Sequence, residues 1–170
     1  MTTVSTEDLY RWLTAGAALG DRTFHAGAIE LLNFAGLLDR ADVRRYIQTE
    51  TVPDREGNDV DGAWVDWAAL ARSVEDGEIG ALYGGQDRLL RLALSIAHGT
   101  LVDLSATLSG LGHAHARAVL DAMTAPLGLA GDVEITYTAA YLERKRADDD
   151  RVRQFLGAHG LDPDDTVSRS

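Results

Sequence analysis

The sequence contains no cysteine, a single lysine and only three prolines among its 170 residues. Without cysteine the chain can form no disulfide, no thiolate nucleophile and no cysteine-ligated zinc site. No stretch approaches the ~18 consecutive apolar residues of a membrane span, and the N-terminus lacks the basic start and apolar run of a secretory signal. We therefore expect a soluble, cytoplasmic protein with no membrane partner.

Positive charge is scarce as well. The formal net charge is −11, which repels phosphate backbones and disfavours nucleic acid as a partner unless a local basic patch exists. Lys145 is the single lysine, so nearly all of the 16 basic residues are arginines. This bias fits a GC-rich genome and equally a salt-adapted proteome, and composition leaves both origins open.

The apolar fraction is 45%, which is enough to build a core, and most of the chain has helical periodicity. Ser5 and Asp8 stand at capping-box spacing before a helix that places Leu9 and Leu13 on one face. Thr23 is the predicted cap of the second helix. Further helical segments are predicted over residues 23–38, 40–47, 67–74, 86–98, 102–111, 113–125 and 149–160. In the last two of these segments, the residues expected to face inward are Val119, Leu120, Met123, Val152, Phe155 and Leu156.

Two segments favour β-structure. Residues 46–52 and 63–67 alternate large apolar and polar side chains, and the turn-rich residues 53–62 separate them, which is typical of a β-hairpin. Residues 132–146 are ambiguous between strand and helix, and we assign a helix. The predicted fold is thus mainly α: one compact multi-helix domain over residues 1–160 with a small β-hairpin near residues 46–67. A disordered tail is expected over residues 161–170.

The segment Leu82-Tyr83-Gly84-Gly85-Gln86 resembles the signature loop of ABC-type ATPases, Leu-Ser-Gly-Gly-Gln. In that family the serine and the glycine backbone contact the γ-phosphate of a bound nucleotide. Here Tyr83 replaces the serine, and the sequence contains no Gly-x-x-x-x-Gly-Lys-Ser/Thr phosphate-binding loop. We therefore interpret the two glycines as a turn that starts a core helix.

A longer segment resembles a group of small uncharacterised helical proteins from high-GC bacteria. The resemblance rests on "LLRLALSIAHGTLVDLSATLSGL" and "ARAVLDAM" after a tryptophan-rich hairpin, and covers about residues 23–125. Its shared residues are packing and turn residues, so it implies a common helical fold and no activity. Gly112 stands where that pattern leads us to expect a capping aspartate.

No motif indicates a metal or cofactor site, and we predict neither. His113 and His115 are two apart on a predicted helix, where such residues do not share a face. The loop from Asp54 has the oxygen ligands of a calcium loop, but Asp59 and Val65 occupy the positions that need glycine and glutamate. A small enzyme stays open as a third functional hypothesis if His25, His98, His113 or His115 meets a carboxylate in a pocket.

The leading hypothesis is a non-enzymatic helical module that binds another protein or itself. Large aromatic side chains serve as interface anchors when they are partly exposed, although buried core positions are an equally natural place for tryptophan. The candidate anchors and the acidic residues around them are Trp64, Trp67, Asp59, Asp61 and Asp66.

The alternative hypothesis is a winged-helix-like, DNA-associated regulator. Residues 23–67 are predicted to run helix, short helix and hairpin, and Arg40, Arg44 and Arg45 would contact phosphates. Against this, acidic residues outnumber arginines nine to two between residues 50 and 80, where a wing would approach the duplex.

Overall fold

The computed structural model describes residues 4–20, 22–54 and 56–159. Contacts divide the chain into two compact units, Met1–Glu134 and Ile135–Ser170, and each is described by itself. The single domain over residues 1–160 stays a prediction, and the predicted tail at 161–170 lies outside the described residues.

The predicted mainly α-helical fold with a small hairpin is confirmed. In chain order the elements of the first unit are α1 (Thr6–Leu19), α2 (Thr23–Phe34), a 3-10 turn (Leu37–Asp39), α3 (Ala41–Arg44), β1 (Ile47–Pro53), β2 (Asp59–Val65), α4 (Trp67–Glu75), α5 (Gly84–His98), α6 (Leu104–Leu108) and α7 (His113–Thr124). The second unit contains α8 (Ala139–Ala158). None of the described helices is long and apolar enough to span a membrane.

Side-chain caps start several of these helices. Ser5 Oγ accepts a hydrogen bond from the Asp8 amide at 3.1 Å, as the capping-box spacing predicts. Asp66 caps α4 by accepting from the Ala69 amide at 2.9 Å. The predicted cap at Thr23 is wrong: that residue is the first of α2, and the N-cap position belongs to Arg22, which makes no side-chain cap bond.

The hairpin is antiparallel, with register from Ile47 opposite Val65 to Pro53 opposite Asp59. The connecting loop is shorter than the predicted one, because residues 59–62 pair with β1 instead of forming a turn. Asp54 closes the loop by accepting hydrogen bonds from the amides of Glu56 and Asn58 at 2.8 and 2.9 Å.

The core of the first unit surrounds α2, whose Leu31 and Leu32 are fully buried. Helix α2 packs against α1, α5 and α7. Two glycines allow the closest approaches. A Cβ at Gly27 would lie well under 3.0 Å from the carbonyl oxygen of Ala122 in α7, and one at Gly16 equally close to the carbonyl oxygen of Ala63 in β2. These contacts seat α7 on α2 and the hairpin on α1.

The predicted turn at Gly84 and Gly85 is wrong, because these glycines are the first two residues of α5. The Gln86 side chain accepts from the Tyr83 amide at 3.3 Å and donates to the Ala35 carbonyl at 2.9 Å, which ties this helix start to the end of α2. A Cβ at Gly85 would lie 2.7 Å from His115 Nε2. The second glycine therefore makes room for a histidine of α7.

Candidate interaction surface

The two candidate tryptophans occupy different environments. Trp67 is the first residue of α4 and is only 6% exposed, with its ring centroid 5.7 Å from that of His25. Trp64 is half-buried on β2. Its ring packs on Gly62 and Gly16. A Cβ atom would lie 2.8 Å from the ring at Gly62 and 3.2 Å from it at Gly16. Trp67 is thus a core residue, and of the two only Trp64 keeps an exposed part for a partner.

The acidic residues near the tryptophans are exposed, and two of them already stabilise local structure. Asp66 caps α4, and Asp61 accepts a hydrogen bond from Thr51 Oγ1 across the hairpin at 2.9 Å. Asp59 begins β2 opposite Pro53. Their arrangement is therefore explained by the hairpin and by the start of α4, with or without a partner.

Arg40 is engaged within its own chain. Its guanidinium donates to both carboxylate oxygens of Asp42, at 3.0 and 2.6 Å, and to the Ala81 carbonyl at 3.2 Å. The Gly80 amide donates to the same carboxylate at 2.9 Å. These hydrogen bonds lower the pKa of Asp42 to about 2, with the Arg40 bond as the largest cause. The pair fastens the loop before α5 to α3.

Arg44 and Arg45 also bind groups of their own chain. The half-buried Arg44 side chain donates to the carbonyls of Leu38 and Val4 at 2.5 and 2.8 Å, and to Thr6 Oγ1 at 2.7 Å. The DNA-binding hypothesis requires an outward Arg44 side chain, and that orientation is wrong. Arg45 is exposed and lies 3.5 Å from the Glu78 carboxylate. All three arginines of the DNA-binding hypothesis therefore have intramolecular partners.

The histidines are distributed over several elements. His25 is buried in α2, and desolvation, the largest cause, lowers the pKa of its imidazole. His98 ends α5, while His113 and His115 lie in the first turn of α7. Within the residues that the structure describes, no group of three or more His, Asp or Glu side chains could hold a metal ion.

Two cavities adjoin these histidines. The first has a volume of about 20 Å³ beside His25, Trp64 and Trp67, which is room for about one water molecule. The second is an open groove of about 410 Å³ between α4 and the end of α5, where His98 and Glu75 are both lining residues. These two side chains form no hydrogen bond or ion pair with each other, so the groove presents no acid–base pair already in contact.

Helix α7 of the first unit carries a group of exposed apolar side chains. Val119 is buried as predicted, but the predicted burial of Leu120 and Met123 is wrong, since they are 53% and 37% exposed. The Leu127 amide donates to the Met123 carbonyl at 3.3 Å, which continues the helical spacing beyond α7. We define the α7 stripe as Ala116, Leu120, Met123 and Leu127, spaced i, i+4, i+7 and i+11, which places them on one side of a helix.

The α7 stripe borders the buried face of the helix. Val119 and Ala122 face α2, and the stripe follows on the adjoining side. Helical periodicity alone predicts one buried face that contains both sets. The sequence did contain a signal for the exposed stripe, namely the width of the apolar surface of α7. Together these residues cover more of the helix surface than one neighbouring helix can bury. More leucines are exposed just before α7, with Leu101 at 97%, Leu104 at 56% and Leu108 at 43%.

Comparisons with protein-family models, with curated proteins and with solved structures each found no match to this chain.

Proposed function

We propose that the chain is a non-enzymatic helical module that binds another protein, and that the α7 stripe is its principal contact surface. The observation that carries the proposal is the exposure of Leu120 and Met123 on a helix whose adjoining side is already packed on α2. Apolar side chains grouped on one exposed face mark interaction sites more often than scattered ones do. Their helical spacing favours a partner that also presents a helix.

This location replaces the hairpin as the leading contact surface. Trp67 is buried, and the Trp64 ring covers two glycines, so the hairpin offers one partly exposed aromatic residue. The DNA-binding alternative has less support than protein binding, because Arg40 and Arg44 donate to acceptors within the chain.

Capture experiments with the full chain test the proposal. Wild-type, Leu120→Asp and Ala114→Asp baits are compared, and each retained protein is purified and its affinity measured directly. Both substitutions add one negative charge at an exposed position of α7, but only Leu120 belongs to the stripe.

We expect a purified partner to bind the wild type and Ala114→Asp equally, and to bind Leu120→Asp at least about tenfold more weakly, as for a central interface residue. Circular dichroism checks that all three chains remain folded. If the Leu120→Asp bait retains the same proteins with the same affinities, the stripe is not the contact surface and the proposal is wrong.

A further inference from the structure

Helix α8 carries a second apolar face, in the second unit. It is 20 residues long and has no buried side chain. The predicted inward orientation of Val152 and Phe155 is therefore wrong, since they are 57% and 61% exposed, while Leu142 is 38% exposed and Leu156 is half-buried. Thr138 caps the helix by accepting from the Tyr141 amide at 3.3 Å, and one continuous helix replaces the two segments expected from the sequence.

Leu142, Val152 and Leu156 fall on heptad positions of α8, whereas Phe155 lies outside this pattern. Leu142, Lys145, Asp149, Val152 and Leu156 are spaced alternately by three and four residues, which places them in one narrow seam along the helix. We define these five residues as the α8 seam. Its two ends are apolar and its middle holds one positive and one negative charge.

Two ion pairs form along the second half of α8, and neither includes a charge of the seam. Arg151 binds Asp148, and Arg153 lies 3.2 Å from Asp150. Lys145 and Asp149 form no ion pair or hydrogen bond with any described residue, although they are four residues apart. Both charges are therefore exposed and have no ion-pair partner among the residues that the structure describes.

The α8 seam is complementary to a second, antiparallel copy of itself. When two copies of α8 lie antiparallel with Ala147 of each at the same level, Lys145 faces the partner's Asp149. Leu142 then faces the partner's Val152, whereas Leu156 lies level with the partner's Thr138 at the end of the pair. A parallel pair would instead place Lys145 against Lys145 and Asp149 against Asp149, and like charges at the seam oppose that arrangement.

We propose that α8 pairs antiparallel with α8 of a second copy of this chain through the α8 seam. The binding partner of the seam is a second copy because an antiparallel pair has a two-fold axis, and this axis places opposite charges facing each other. The inference rests on the proposed function only in that the chain acts by binding protein, and it uses a different surface from the α7 stripe. With three apolar residues per seam the interface is small, so association depends on concentration.

Charge reversal on the full-length chain tests the pairing by sedimentation velocity over a range of concentrations. Lys145→Asp makes the seam wholly acidic and Asp149→Lys makes it wholly basic. The matched control is Arg144→Asp, which changes the net charge as Lys145→Asp does, one residue away and outside the seam. All of these positions are exposed, so circular dichroism should show unchanged helicity.

We expect the wild type and Arg144→Asp to approach twice the monomer mass as concentration rises. Each seam variant alone should associate at least about tenfold more weakly, since like charges then face each other twice in the pair. An equimolar mixture of Lys145→Asp and Asp149→Lys should associate again, as should the double variant, because both restore opposite charges across the seam.

Three results would overturn the inference: a wild type that stays monomeric at every concentration, a dimer that Lys145→Asp leaves intact, or a mixture that fails to associate. The outcome is separable from that of the proposed function. Leu120→Asp should leave the mass unchanged, and Lys145→Asp should leave α7-dependent partner binding unchanged.

Discussion

Residues 4–98 and residues 100–134 of the first unit place the same side chain, leucine, in opposite environments. In the first region Leu31 and Leu90 are fully buried, whereas Leu101 and Leu120 of the second are 97% and 53% exposed. Both regions form capped helices, so the difference does not arise from secondary structure. Helix α2 has neighbours on several sides, but α7 contacts the rest of the unit mainly through α2 and α5. The first region therefore stabilises the fold, and the second leaves an apolar surface available.

Truncating one leucine in each region tests this contrast most strongly. Leu90→Ala should lower the free energy of unfolding by about 2–5 kcal/mol, because it removes buried contacts and leaves a cavity. Leu104→Ala, at a position that is 56% exposed, should change it by less than about 0.5 kcal/mol. Urea denaturation measures both variants. Equal losses would show that residues 100–134 are part of the core and that the comparison is mistaken.

The two regions meet where α2 packs against α7, and a substitution at Gly27 tests this contact. Gly27→Ala places a methyl group against the Ala122 backbone, so α2 and α7 must separate. We expect a loss of about 1–3 kcal/mol, typical of overpacking. Gly84→Ala is the matched control: that residue is also helical, and a Cβ there meets nothing within 4 Å. It should be neutral or stabilising by up to about 1 kcal/mol in thermal unfolding, and a similar loss in both variants would contradict the close contact.

In the first region, Asp42 holds the loop before α5 by accepting hydrogen bonds from Arg40 and from the Gly80 amide. The pKa of Asp42 is about 2 in the folded chain, below its ordinary value of 3.8. The ionised carboxylate therefore stabilises the fold fully above pH 3.8, and this stabilisation is lost as the pH falls from there through the folded pKa. Asp42→Asn should cost about 1–2 kcal/mol at neutral pH, after allowance for solvent screening of the partly exposed pair. Denaturation of both chains at pH 7 and pH 2 checks this. The difference between them should shrink in acid, and a difference that stays constant would exclude the ion pair as its cause.

The smallest effect concerns His25. Its pKa is lowered from 6.5 by burial, so the unfolded chain binds the proton more readily. Stability from neutral His25 is present above pH 6.5 and is lost as pH falls from there through the folded pKa. His25→Gln should flatten the dependence of the melting temperature on pH between 7 and 5. An unchanged slope would mean that His25 does not titrate differently on folding.

Much of the fold could be predicted from local chemistry. The Ser5 cap, the hairpin near residues 46–67 and a helix over residues 86–98 all follow from residue types at short spacing. Such features depend on hydrogen bonds between residues a few positions apart, which are visible in sequence. The interaction surface was predicted less well: Trp67 proved to be a core residue, and the exposure of Leu120 was missed.

By itself, the sequence determined that the chain lacks thiol chemistry, is strongly acidic and forms capped helices around one hairpin. Tertiary structure decided which apolar residues are buried, because burial depends on what lies opposite each face. Val119 and Leu120 are adjacent in sequence and similar in hydrophobicity, yet only Val119 has α2 opposite it. Arg44 likewise turns inward because the carbonyls of Leu38 and Val4 come within reach of its guanidinium only in the folded chain.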